Sequence, residues 1–352
     1  MSAPDRVQAL VHGQPLHRWL LLVVPALVLS LGAGVALGPV TIPPGQVLHL
    51  IVGQYLPGLG DPPSGPRAAI INEIRLPRVV LGAVVGAGLA ITGAVLQAIL
   101  RNPLADPYLI GATGGASLGA VLVIIAGITP FGLLSLPLSA FLGAMVAFLV
   151  VIMIANRSGQ LAPTRLILAG VAIAALTEAL TSYIVLSSQD NEVRSAMFWM
   201  LGGFTSAQWR TLSVTAVVVA VALVFFLAHS TRLNALALGD EGATSLGVEV
   251  DRIRMRLMVA CALVVGSCVA VSGGIGFVAL MVPHAVRMVA GGDNRRVLPL
   301  SACVGALLML WVDVGARMVN QPEEIPVGII TAVLGAPFFI YLLLRSQRGV
   351  GQ

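Results

Sequence analysis

Residues Pro107 to Asn156 read PYLIGATGGASLGAVLVIIAGITPFGLLSLPLSAFLGAMVAFLVVIMIAN, 50 positions without a charge. A helix that crosses a bilayer needs roughly 20 apolar residues, so this run is too long for one crossing. The stretch from Gly127 to Pro137 carries the turn signals that divide it. It therefore reads as two membrane helices, Pro107 to Gly127 and Ser135 to Ala155. Outward from this run the pattern repeats. Of 352 residues, 57% are hydrophobic and 10% charged, more apolar surface than a water-soluble domain of this size can hide. Apolar segments at Trp19 to Gly38, Val79 to Leu100, Leu166 to Leu186 and Leu212 to His229 join the two above, and four more follow. These are Leu257 to Ser272, Ile275 to Ala290, Leu298 to Ala316 and Ile325 to Leu344. The fold class expected is all-α: one polytopic membrane domain over residues 1–352, with about ten transmembrane helices.

All 20 basic residues are arginine, and their placement orients the chain. The 30 uncharged residues from Leu257 to Val286 lie between two arginine clusters, Arg252/Arg254/Arg256 and Arg287/Arg295/Arg296. Basic residues favour cytoplasmic loops, so both clusters belong on one side and the chain turns back at Gly273-Gly274. With both termini cytoplasmic, 14 arginines fall inside and six outside: Arg67, Arg75, Arg78, Arg194, Arg210 and Arg317. Arg6 and Arg18 precede the first apolar run, which lacks an Ala-x-Ala cleavage site and reads as a retained span. The net charge of +5 reflects this loop bias and implies no nucleic-acid partner. Without lysine, the chain has no phosphate-binding loop of the Gly-Lys-Ser/Thr kind, so ATP hydrolysis would need another subunit. Cys261, Cys268 and Cys303 sit inside apolar runs and read as core residues; neither a metal site nor a cofactor is expected.

Val84-Val85-Gly86, Ala90 and Thr92-Gly93 recur as Val264-Val265-Gly266, Ala270 and Ser272-Gly273 at an offset of 180 residues, in spans of opposite direction. This suggests an inverted internal repeat. Gly82, Gly86, Gly111, Gly115 and Gly119 allow the close helix packing that association in lipid depends on. The segment Leu236 to Arg252, between the sixth and seventh spans, is acidic yet apolar at Leu236, Leu238, Ala243, Leu246 and Val248. Short helical pieces broken at Gly242 and Gly247, docking a partner protein, are expected there.

Six motifs occur in order: Arg75-Leu-Pro-Arg78; Gln97 with Arg101-Asn-Pro-Leu-Ala-Asp-Pro107; Gly111 with Gly115-Ala-Ser117; Ala237-Leu-Gly-Asp-Glu241 with Leu246-Gly247; Gly276-Phe277 to Pro283-His284 with Arg287; and Ile325-Pro-Val-Gly328 to Gly335-Ala-Pro337. Together they resemble the FecCD-type permeases of ATP-driven importers for haem, ferric siderophores and cobalamin. The resemblance covers Arg75 to Leu344. It implies a homodimer in the inner membrane, two cytoplasmic ATPase subunits, a periplasmic substrate-binding protein, and an iron chelate or cobalamin as cargo, haem being favoured. It further implies that Leu238, Gly239, Asp240, Glu241, Ala243, Leu246 and Gly247 couple to the ATPase. Arg75, Arg78 and Arg317 are implied to receive the binding protein. The loop Asn320-Gln-Pro-Glu-Glu324 is more acidic than that pattern leads one to expect.

Two acids fall within spans. Asp313 stands one turn before Arg317, the favourable order for an ion pair. Glu178 has no evident partner and is the candidate for the translocation path, since ionisable groups in a bilayer default to function. His284, near a helix end, reads as structural. The alternative, an ion-coupled secondary transporter, would place paired acids or broken helices mid-membrane. An enzyme would need a catalytic set that the sequence lacks.

Overall fold

No water is available inside a bilayer to satisfy an open backbone, so each apolar segment closes its own hydrogen bonds by coiling into a helix. The computed structural model describes residues 16–38, 40–43, 45–47, 49, 65–158 and 161–348. Helix α1 is Leu16–Ala36. The chain is then helical from Pro66–Ala69 through a π-helical stretch, Ile70–Arg75, into α2, Leu76–Leu100. There follow α3 (Ala112–Ala126), α4 (Ser135–Ala155), α5 (Pro163–Leu186), α6 (Asp190–Met200), α7 (Trp209–Ala228), α8 (Ser230–Ala237) and α9 (Asp240–Ser245). The last four are α10 (Val250–Ser272), α11 (Val278–Ala290), α12 (Asn294–Met318) and α13 (Val327–Arg348). Among the described residues seven helices are long and apolar enough to cross a membrane, and three shorter apolar ones bring the number to ten.

Most of the expected spans shift at their starts, the seventh to Val250 from Leu257 among them. The second begins well before Val79, because the helix already runs through Arg75 and Arg78. The third begins at Ala112: Pro107–Ile110 is a 3-10 turn started by Asp106, whose carboxylate accepts from the Tyr108 backbone N–H at 2.9 Å, and Gly111 at φ +73° redirects the chain. The eighth begins at Val278. Helix α6 was not expected as an element, although Gln189 and Glu192 stand at capping-box spacing, with Glu192 accepting the Gln189 N–H at 3.4 Å. Arg6 and the chain's two ends lie outside the described residues.

Helix α2 is the axis of the bundle. Nearly every side chain from Val79 to Leu100 is buried, against α10, α11 and α12. Two glycines make this possible. A methyl group at Gly86 would overlap the Gly305 carbonyl of α12, and one at Gly93 would overlap the Ala279 carbonyl of α11. Close backbone approach replaces the hydrophobic effect, which does not drive helices together in lipid. Arg101, just past α2, and Arg254, near the start of α10, share Asp240, so the two helices run antiparallel. The two copies of the sequence echo thus lie in opposite directions, as an inverted repeat requires.

Candidate functional site

At one end of the bundle the chain leaves α7 and forms α8 and α9. Gly239 at φ +104° makes the turn between them, a conformation that a Cβ would disfavour, and Gly247 at φ +78° ends α9. The break therefore falls at Gly239. Gly242, expected as the breaker, lies within α9. Asp240 accepts from Arg254 at 2.7 Å and lies 3.5 Å from Arg101. Arg254 is 1% exposed and also donates to the Leu161 carbonyl at 2.9 Å. Asp240 thus anchors the segment to the bundle. Leu236 and Ala243 are buried in the same sense, whereas Leu238 and Leu246 stand 72% and 64% exposed. With exposed Glu241 and Gly247 they form the outward face of the segment.

A polar junction that sequence reasoning missed locks α8 onto the bundle. Asn234 donates to Asp293 at 2.7 Å and accepts from both nitrogens of Asn294, backbone at 2.9 Å and side chain at 2.8 Å. Arg287 then joins Asn294 to the Ala94 carbonyl of α2, each at 3.0 Å. Asp293 also caps α12 by accepting the Arg295 N–H at 3.0 Å. Partial burial would raise the Asp293 pKa, but the hydrogen bonds from Asn234 and Arg295 and the charges of Arg295 and Arg296 outweigh it and hold the carboxyl below its usual range. The Asp-Asn pair before an apolar helix was a readable capping signal. Its partner Asn234, 59 residues away, was not.

At the opposite end, Arg75, Arg78 and Arg317 come together as the motifs implied, but inside the protein. Each is under one-tenth exposed. Arg78 donates through Nε and Nη2 to Asp313 at 2.9 and 2.8 Å and pairs with Glu324 at 2.9 Å. Arg317 pairs with Asp313 at 3.1 Å and donates to the Leu37 and Gly34 carbonyls. Arg75 has backbone partners: the carbonyls of Val35 at 2.8 Å, Ala36 at 3.2 Å and Val40. Asp313 therefore holds two arginines rather than the expected one, and the acidic loop before Ile325 supplies the second carboxylate through Glu324. Three guanidinium groups face two carboxylates. A cavity of about 280 Å³, lined by Arg78, Glu324, Phe204 and Ser272 among others, opens beside them.

Glu178 is exposed on the outer face of α5, in a stripe with Leu168, Val171 and Ala175. His284 meets Phe338 of α13 edge-on, with ring centroids 6.4 Å apart. Cys261 and Cys268 are buried in α10 and carry no disulfide.

Comparison with known proteins follows the same lines. A family model described as the FecCD transport family matches residues 22–345. The chain is 44% identical over 280 residues to the cobalamin import system permease BtuC of Halobacterium salinarum, covering 78% of this chain and 73% of that one. It is 42% identical over 279 residues to the hemin transport system permease HmuU of Yersinia pestis, covering 78% and 83%. The vitamin B12 import system permease BtuC of Vibrio vulnificus is 36% identical over 341 residues, covering 97% and 98%. A solved structure of a metal-chelate type ABC transporter in an inward-facing conformation superposes with a TM-score of 0.81 at 32% identity, covering 93% and 99%.

Proposed function

Because this chain belongs to the FecCD transport family, we propose that it is the multi-pass permease subunit of an ATP-driven importer whose cargo is a metal–tetrapyrrole chelate. The relatives' names include both a corrin, cobalamin, and a porphyrin, hemin. Haem, favoured on resemblance alone, is thus one of two members of that class. The observation that carries the importer reading is the α8–α9 segment: a rigid, bundle-anchored element that holds two leucines and an acid outward, where a partner would cover them. In this reading the segment is cytoplasmic and docks one ATPase subunit. ATP is hydrolysed there, since the permease carries no phosphate-loop lysine.

The arginine network lies at the periplasmic mouth. Its one-charge excess supports docking of an acidic binding protein: Arg75, buried among backbone carbonyls, has no carboxylate of its own and leaves its positive charge uncompensated at this end of the bundle. Two copies of the chain would enclose the path. A lone carboxylate facing lipid near mid-membrane costs about 2.5 to 3.5 kcal/mol, so the Glu178 stripe is better accommodated against a second copy or a water-filled path. ATPase activity of the reconstituted complex tests the docking: Arg75→Ala should lower stimulation by the binding protein while basal turnover persists. Full stimulation in that variant would remove Arg75 from the docking surface.

A further inference from the structure

The face of the bundle made by α7 and α10 carries an unusual recess. A groove of about 620 Å³ runs between these helices, walled by Val221, Phe225, Val259 and Leu263 and closed by Phe141 of α4. Its lining is almost wholly apolar from Ser267 to Arg256. The eleven steps between them rise by about 16 Å at 1.5 Å each, the depth of one leaflet of a hydrocarbon core about 30 Å thick. At the Arg256 end the groove meets a second, polar hollow of about 180 Å³ lined by Arg232, Arg252 and Arg256 with Glu249. Arg256 lines both. Glu249 is already paired with Arg252 at 2.6 Å, while Arg232 and Arg256 are exposed and have no carboxylate partner among the described residues. Three guanidinium groups against one carboxylate leave this hollow with an excess of two positive charges.

We propose that this groove and hollow form one binding site for an anionic phospholipid. It would be drawn from the leaflet on the side of the coupling segment. An acyl chain fills the groove along α10, and the phosphate of the headgroup is held by Arg232 and Arg256, with Arg252 beside them. The chemistry of the two halves is complementary to the two halves of one lipid: a one-leaflet apolar channel continuous with a cationic end. A zwitterionic headgroup would offer the arginines no net charge. A free anion would leave the groove unused. The hollow is walled by Gly247 and Val248 at the end of the coupling segment, so a bound lipid also packs against that element.

Native mass spectrometry of the purified full chain, titrated with dioleoyl-phosphatidylglycerol or dioleoyl-phosphatidylcholine, tests this. The first phosphatidylglycerol should bind more tightly than phosphatidylcholine. Arg232→Gln with Arg256→Gln should weaken it about thirtyfold, as expected for two interfacial arginines. Val221→Trp with Val259→Trp, which fills the groove through two outward-facing positions, should lower lipid occupancy of both kinds. It keeps the test standing if the arginine variant does not yield folded protein. Equal affinity for the two lipids, or unchanged phosphatidylglycerol binding in either variant, would overturn the proposal. So would an arginine variant that loses the ATPase subunit on co-purification yet keeps its lipid, since the cluster would then belong to a protein interface.

Discussion

At the scale of single residues, the buried and the half-buried carboxylates hold the fold in different ways. Asp313 is 2% exposed and compensates two arginines. Asp313→Asn leaves Arg78 with Glu324 alone and Arg317 with carbonyls. Removing one partner of a buried pair costs about 3 to 5 kcal/mol, so the thermal midpoint in detergent should drop sharply. An unchanged midpoint would show the network to be solvated. Asp293 behaves differently because it is partly exposed and its pKa is lowered on folding. Its contribution is complete above the ordinary carboxylate range and disappears as pH falls through its folded value. A stability series from about pH 6 to pH 3 should therefore show a loss in the native chain that Asp293→Asn flattens. The Asp313–Arg317 pair was legible from spacing alone. The link from Arg78 to Asp313 spans 235 positions and needed the fold to bring α2 beside α12.

Among the elements, α2 and the α8–α9 segment make opposite demands on sequence. α2 is set by contact distance, so small residues decide it. At Gly93 the opposing atom is backbone, which cannot retract as a side chain could. Gly93→Val should destabilise by about 1 to 3 kcal/mol or more, through forced separation of α2 and α11, and should lower the yield of folded protein in the membrane. A variant as stable as the parent would mean that the two helices are not in contact. In the α8–α9 segment, composition pointed to an apolar surface but not to which residues expose it. Leu236 faces inward and Leu246 outward only because Gly239 turns the chain between them. Leu246→Arg should release the ATPase subunit on co-purification with no change in thermal midpoint, and Leu236→Ala should do the reverse. The third and eighth spans were misjudged at their starts because hydropathy runs through the break at apolar Gly111, and because the turn expected at Gly273-Gly274 extends to Phe277 at φ +67°.

For the whole molecule, the two ends of the bundle and the outer face of α5 carry the features on which the proposed partners would act. The approximate number of helices was legible because lipid imposes a span length on every segment; the pairing of copies was not, since a face awaiting a partner and a face awaiting lipid are equally apolar. Glu178 breaks that equivalence on α5. Ala175→Cys, one turn from it, should give a cross-linked dimer on mild oxidation in membranes, whereas Val221→Cys on the α7 groove should not. The central claim, that this chain passes a metal–tetrapyrrole inward at the expense of ATP hydrolysed elsewhere, is tested most directly in sealed proteoliposomes. These would hold the chain with its ATPase subunit, ATP inside and the loaded binding protein outside. Accumulation of cobalamin or haem should require ATP, survive collapse of ion gradients and be abolished by Leu246→Arg; accumulation that proceeds without ATP and stops when ion gradients are dissipated would contradict the account.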